Sequence, residues 1–170
     1  IANPDNVLLN TGINTLNTTN FILGDFETNR NAADNYLNFI TNAFSTNTGD
    51  LSKVDGYAAV TDQQNFTFPI GDFEQLRPLI IQSSSSNSLA KCAYFAENPS
   101  NPPSLDNGFD TERRAGTIGM VSNVEFWRLE GSVSSTISIN WNERSNLSAL
   151  TDDVNTIVPV GFSKRLDQWI

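Results

Sequence analysis

The chain has 170 residues, enough for one ordinary domain or two small ones with a sizeable core. Its net charge is −9, which disfavours a nucleic-acid partner, since phosphate binding needs clustered Lys and Arg; Arg113-Arg114 form a local cationic pair beside Glu112. One cysteine, Cys92, and no histidine exclude an internal disulfide, a zinc site of His and Cys, and the usual serine or cysteine triads.

Charged residues make up only 17% of the chain, below the usual quarter. Asn, Ser and Thr fill the deficit at about a third of all positions, so the surface is neutral-polar rather than ionic. No segment approaches 18 consecutive apolar residues, and no basic-then-apolar leader opens the chain, so membrane insertion is not expected. The opening Ile1-Ala2-Asn3-Pro4 suggests a module cut from something longer. The missing export signal therefore carries no information about compartment.

Residues 1–50 read as an irregular, Asn/Thr-rich zone of extended or short-strand structure. Val7-Leu8-Leu9, Ile13, Leu16 and Phe21-Ile22-Leu23 are short apolar pieces, punctuated by Gly12 and Gly24-Asp25. This spacing suits very short strands, or the coils of a stacked β structure. Over residues 29–47, Ala32, Ala33, Tyr36, Leu37, Phe39, Ile40 and Ala43 fit one helical face behind an Asn31 cap. The dense Asn and Thr argue against a helix there and for extended chain.

A second zone, residues 51–170, reads as a module of antiparallel strands. Val54-Asp55-Gly56-Tyr57-Ala58-Ala59-Val60 is a strand, and Asp62-Gln63-Gln64 a turn, giving a hairpin of 55–60 against 64–69. Phe66 and Phe68 share the buried face of the second strand, with Thr67 opposite. Pro69 ends it, and Ile70-Gly71-Asp72 reads as a tight connection that requires glycine at 71. Leu79-Ile80-Ile81 follows Arg77-Pro78 as the next strand, and Ser83 to Ser86 as a polar loop. In Leu89 to Phe95, Ala90, Cys92 and Tyr94 share a face, so Cys92 reads as a small buried apolar residue. Residues 97–117, with Pro99, Pro102 and Pro103, form a long loop suited to variable function. Val121 to Leu129, a turn at Glu130-Gly131-Ser132 and a return through Ile137, Ile139 and Trp141 read as a strand pair. Asn146 to Asp153 is an Asx-rich turn; Ile157 to Phe162 and Leu166 to Ile170 close the chain as strands.

Phe66-Thr67-Phe68-Pro69-Ile70-Gly71-Asp72 followed by Arg77-Pro78-Leu79 resembles a segment recurrent in large surface proteins of the Bacteroidetes. Val54-Asp55-Gly56-Tyr57 ahead of it is similar to the strand that usually precedes that segment. Val121-Ser122-Asn123-Val124-Glu125-Phe126-Trp127, Ser138-Ile139-Asn140-Trp141, and Val160-Gly161-Phe162 with Gln168-Trp169 follow in the same order. The likeness covers residues 54–170. It departs at Leu76, where an aromatic is common, and in the 97–117 loop. It implies a non-catalytic β module of an adhesin or gliding-motility type protein, exported by the type IX secretion system to the cell surface. It identifies no ligand.

Several residues offer chemistry of their own. Asp72 with Glu74, and Asp106 to Glu112, present oxygen donors of the kind calcium takes, though without the full EF-hand spacing. Glu125 and Glu143 are a conceivable glycosidase pair, with Glu125 otherwise on a strand's wet face or beside Arg128. Trp127, Trp141 and Trp169 offer a sugar-stacking platform, although Trp141 shares its face with Ile137 and Ile139 and so suits the core. Arg77 suits a structural pair with Asp72.

The sequence thus favours an all-β protein, a jelly-roll-like β-sandwich of antiparallel strands behind an irregular N-terminal zone. No catalytic, metal or cofactor residues are assigned. The expected partners are neighbouring modules of a longer chain and a surface polysaccharide or protein, with a carbohydrate-binding module as the alternative reading.

Overall fold

The computed structural model describes residues 1–73 and 75–170. The described residues are all-β, with three short 3-10 helices among them. Among the described residues no helix is long and apolar enough to cross a membrane. Two compact units interleave in sequence: unit 1 is Ile1–Phe95 with Trp127–Asn140, and unit 2 is Ala96–Phe126 with Trp141–Ile170.

Unit 1 begins as a stack of coils. β1 (Val7–Leu9), β2 (Ile13–Thr15) and β3 (Thr18–Asn20) make the first coil, and β4 (Phe26–Thr28), β5 (Leu37–Ile40) and β6 (Phe44–Thr46) the second. β7 (Val54–Asp55) and β8 (Ala58–Thr61) form the third, and β10 (Ile70–Asp72) opens a fourth. Each strand lies parallel on its equivalent in the coil before: Val7 on Phe26, Ile13 on Leu37, Thr18 on Phe44, Leu37 on Ala58, Val54 on Ile70. The ladders run straight across residue 50, where the sequence suggested a boundary, since β4 pairs with β7 and β5 with β8.

Strands this short need sharp corners, and the Asn, Asp and Thr content supplies them. Thr41 and Asp62 both hold left-handed backbone, at φ 53° and 58°, one residue past the stacked pair Ile40 and Thr61. Asp62 tolerates that region better than most residues, and the Thr41 amide donates to Thr61 O at 2.8 Å. Asp62 turns the chain out of one sheet into another. The expected hairpin of 55–60 against 64–69 is therefore absent, and β9 (Gln63–Phe68) pairs with β12 (Leu79–Asn87) instead. Residues 29–47 carry strands and no helix, as their polar composition favoured.

Ile70-Gly71-Asp72 is a strand rather than a tight connection. It lies parallel to β7 and antiparallel to β11 (Gln75–Leu76). Gly71 is required by contact, not by a positive φ: a Cβ there would sit 1.9 Å from Gln75 O. Gly56 needs both, with φ +125° and Thr28 Oγ1 2.2 Å from any Cβ.

Antiparallel strands continue unit 1. β12 pairs with β9 on one side and β15 (Ser135–Ile139) on the other. β13 (Ala90–Phe95) extends the β8 sheet, and β14 (Phe126–Gly131) lies beyond it. Val121 to Trp141 is thus not a hairpin, because its two strands join different sheets. Ser83 to Ser86 lie within β12 and not in a loop: the Ser83 and Ser135 hydroxyls share a hydrogen bond of 2.6 Å across the ladder, overriding serine's weak strand preference. One core runs through the unit. It joins Leu9, Phe21, Leu37, Phe39 and Val54 of the stack to Phe66, Phe68, Leu79, Ile81, Cys92 and Tyr94 of the antiparallel strands. The alternation read for Phe66 and Phe68 holds, and both are buried.

Unit 2 carries the 97–117 segment without a strand, then 3-10 turns at Glu143–Ser145, Leu147–Ala149 and Val154–Thr156. β16 (Phe162–Ser163) and β17 (Gln168–Trp169) pair, and Phe109, Phe126, Phe162 and Trp169 cluster edge to face, with centroids 5.3–6.5 Å apart. Residues 157–161, expected as strand, lie outside any ladder.

Candidate functional site

The stack places charge inside unit 1. Lys53, 1% exposed, donates from Nζ to Asp25 Oδ2 at 2.8 Å and to Asp50 O at 2.9 Å. Its backbone amide donates to the other Asp25 oxygen at 2.9 Å. Asp25 directly precedes β4 and Lys53 directly precedes β7, the parallel partner of β4 one coil on, so the stacking itself brings Asp25 and Lys53 together. Arg30 is a second hub. Its guanidinium reaches Asp55 at 2.6 Å and Asp72 at 3.3 Å, donates to Gly71 O and Tyr94 O, and lies over the Phe95 ring.

Arg77 is wholly buried. Its guanidinium sits between the Tyr94 and Trp127 rings, 5.3 and 5.4 Å from their centroids, and its carbonyl accepts from Trp127 Nε1 at 3.1 Å. The sequence marked Arg77 as structural but gave no sign of this aromatic clamp. The partners come from β13 and β14, far along the chain.

The surface above the Asp25–Lys53 pair holds a shallow depression of about 220 Å³, lined by Pro4, Leu23, Asp50, Leu51 and Phe73 among others. Leu51 and Phe73 are largely exposed, and Phe73 has a left-handed φ of 52°. Lys53 Nζ is held below it by Asp25 Oδ2 and Asp50 O. Among its described lining residues there is no nucleophile–base pair.

The remaining candidates are dispersed. Glu74 lies outside the described residues. In the 106–112 segment, Asp110 accepts its own local amide from Glu112, and the Glu112 carboxylate pairs with Arg114. Among the described residues no three of His, Cys, Asp or Glu gather as a metal site. Glu125 is buried, not on a wet face, and Arg128 pairs with Glu130 rather than with it. Glu143 starts a 3-10 turn. Trp169 is buried within unit 2, its Nε1 donating to Asp110 O at 3.2 Å, whereas Trp141 is 54% exposed. The core placement expected for Trp141 fails because β15 ends at Ile139, two residues too early. The Cys92 thiol is fully buried, which pushes its pKa well above the ordinary value, and burial likewise raises that of Tyr57, with Arg128 opposing.

Compared with known proteins, the chain matches no family model, no curated protein and no solved structure.

Proposed function

We propose that the chain is a non-catalytic module of a bacterial cell-surface protein of adhesin or gliding-motility type, structural or adhesive in role. On this reading it belongs to the Bacteroidetes surface proteins exported by type IX secretion. It works outside the cell among neighbouring modules, and a β-sandwich of antiparallel strands closes one end of its coil stack. One observation carries the reading: the charged groups with chemical potential, Lys53, Arg30 and Asp25, are spent inside the frame, holding coil to coil. What faces solvent includes short strands and Asn/Thr corners with scattered apolar side chains such as Leu16, Leu51 and Phe73, a surface suited to contact rather than turnover.

The test has two arms. Antibody against the module should label intact cells that make the full protein, and surface proteolysis should remove the label. A panel of chromogenic glycosides, esters and peptides should show no turnover. Labelling only after permeabilisation would overturn the location. Turnover abolished by Glu125→Gln or Glu143→Gln would overturn the non-catalytic role.

A second reading, a carbohydrate-binding module, draws on the exposure of Trp141 in unit 2. An exposed indole is the side chain that stacks on sugar rings. Glycan-array binding lost on Trp141→Ala, with unchanged stability, would favour it.

A further inference from the structure

We propose that the open edge of the first coil is a docking surface for one further parallel β-coil, carried by a neighbouring module and added strand on strand. The proposal deepens the function just described and rests on its claim that the chain works among other modules.

Three sheets end together at this coil. β1, β2 and β3 are each the last strand of their sheet. The backbone shows which groups are left over. The Val7 amide donates to Asp25 O, the Ile13 amide to Tyr36 O and the Phe21 amide to Thr46 O, all toward the second coil. In a parallel strand the N–H and C=O of one residue point the same way and alternate along the chain. Leu8 in β1, Asn14 in β2, and Thr18 and Asn20 in β3 therefore point theirs away from the second coil, to the open side.

Part of that side is already used, and the use sets direction and register. Residues 1–3 lie parallel to residues 22–24, with a bridge between Ala2 and Leu23. The Ile1 ammonium donates to Asn20 O at 2.5 Å, the Ile22 amide to Ile1 O at 2.9 Å, and the Asn3 amide to Leu23 O at 2.9 Å. Asn20 O is one of the outward acceptors just derived. The edge thus accepts a parallel strand, which starts beside Asn20 at the end of β3 and runs away from it, so chain placed ahead of Ile1 in the same direction falls beside β3.

The edge also lacks the devices that blunt exposed strands. Val7-Leu8-Leu9, Ile13-Asn14-Thr15 and Thr18-Thr19-Asn20 contain no charge and no proline. The chemistry of an incoming coil follows from how the first two coils meet. Asn38 Nδ2 donates to Asn14 Oδ1 at 3.0 Å, and Asn20 Oδ1 accepts from Thr46 and Asn47. The fit is amide and hydroxyl on amide, so the occupant is an Asn/Thr-rich coil. A second copy related by two-fold symmetry would present antiparallel edges, against the direction that residues 1–3 have set.

The experiment uses the full chain in two lengthened forms. One carries a duplicate of its own Pro4–Phe21 directly ahead of Ile1; the other carries the same residues scrambled. Amide hydrogen exchange is read at the original Leu8, Asn14 and Thr18. The duplicate should slow exchange there by about tenfold or more and raise the melting temperature, while the scrambled form should do neither. Equal exchange in the two forms would overturn the proposal. So would an unlengthened chain that is dimeric by light scattering with these amides already protected, since the occupant would then be a second copy. Failure here leaves the cell-labelling result standing, and failure of labelling leaves the edge standing.

Discussion

Lys53 Nζ lies 2.8 Å from Asp25 Oδ2, and the two residues occupy equivalent legs of successive coils. Removing one member of such a buried pair strands the other charge away from water. Lys53→Met alone should cost about 3–5 kcal/mol in urea denaturation. Asp25→Leu with Lys53→Met should cost less than the sum of the singles, with a coupling of about 1–3 kcal/mol. Strict additivity would mean that the pair contributes nothing to holding the coils.

Phe68 is fully buried where the stack meets the antiparallel strands, its ring 5.0 Å from that of Phe66. Phe68→Ala should lower stability by about 3–5 kcal/mol, read as a shift of the denaturation midpoint. A midpoint that barely moves would remove Phe68 from the core.

Arg77 tests shape as well as charge. Arg77→Lys keeps the cation but loses the flat guanidinium that lies between Tyr94 and Trp127. We expect a loss of about 2 kcal/mol or more and a red shift of tryptophan emission as water reaches Trp127. A variant with unchanged emission and melting would show that only the charge matters.

Cys92 gives a pH dependence. Burial holds its thiol protonated in the folded state well above the ordinary value of 9.0. The unfolded chain releases that proton first, so the contribution is fully present below about pH 9 and is lost as pH rises beyond it. Stability should fall by up to about 1.4 kcal/mol per pH unit on this account. Cys92→Ala should flatten the fall between pH 8 and pH 10.5, leaving the smaller part due to Tyr57, which shifts in the same direction. Parallel curves for the two proteins would exclude the thiol as the cause.

Local pattern was legible where one residue's neighbours decide its place. Phe66 and Phe68 alternate with exposed Thr67, and Thr136 and Ser138 alternate with half-buried Ile137 and Ile139, so those strands could be read from the chain. The partners of those strands could not. β14 and β15 are joined by a turn yet enter different sheets, because each meets a strand already waiting elsewhere. Asp25 and Lys53 are brought together by the pitch of a coil, which shows only once the coils are stacked. Ser83 to Ser86 looked like a loop by composition, yet they lie in β12, where Ser83 pairs with Ser135 of β15 and the β9 register shifts between Gln82 and Asn87. The sequence suits Arg77 to a structural role, but a cation clamped between two rings leaves no local trace.

The interleaving of the two units also sets an order in time. β12 lies between β9 and β15, and β15 follows the whole 96–126 segment in the chain. During synthesis the stack is made early, yet one side of β12 stays bare until residue 139 has emerged. Contacts that span so much sequence close slowly. A nascent chain cut anywhere between residues 96 and 134 would therefore carry a long strand with one ladder unfilled, which is the form most prone to pair with its neighbours. Folding of this chain waits on its last third.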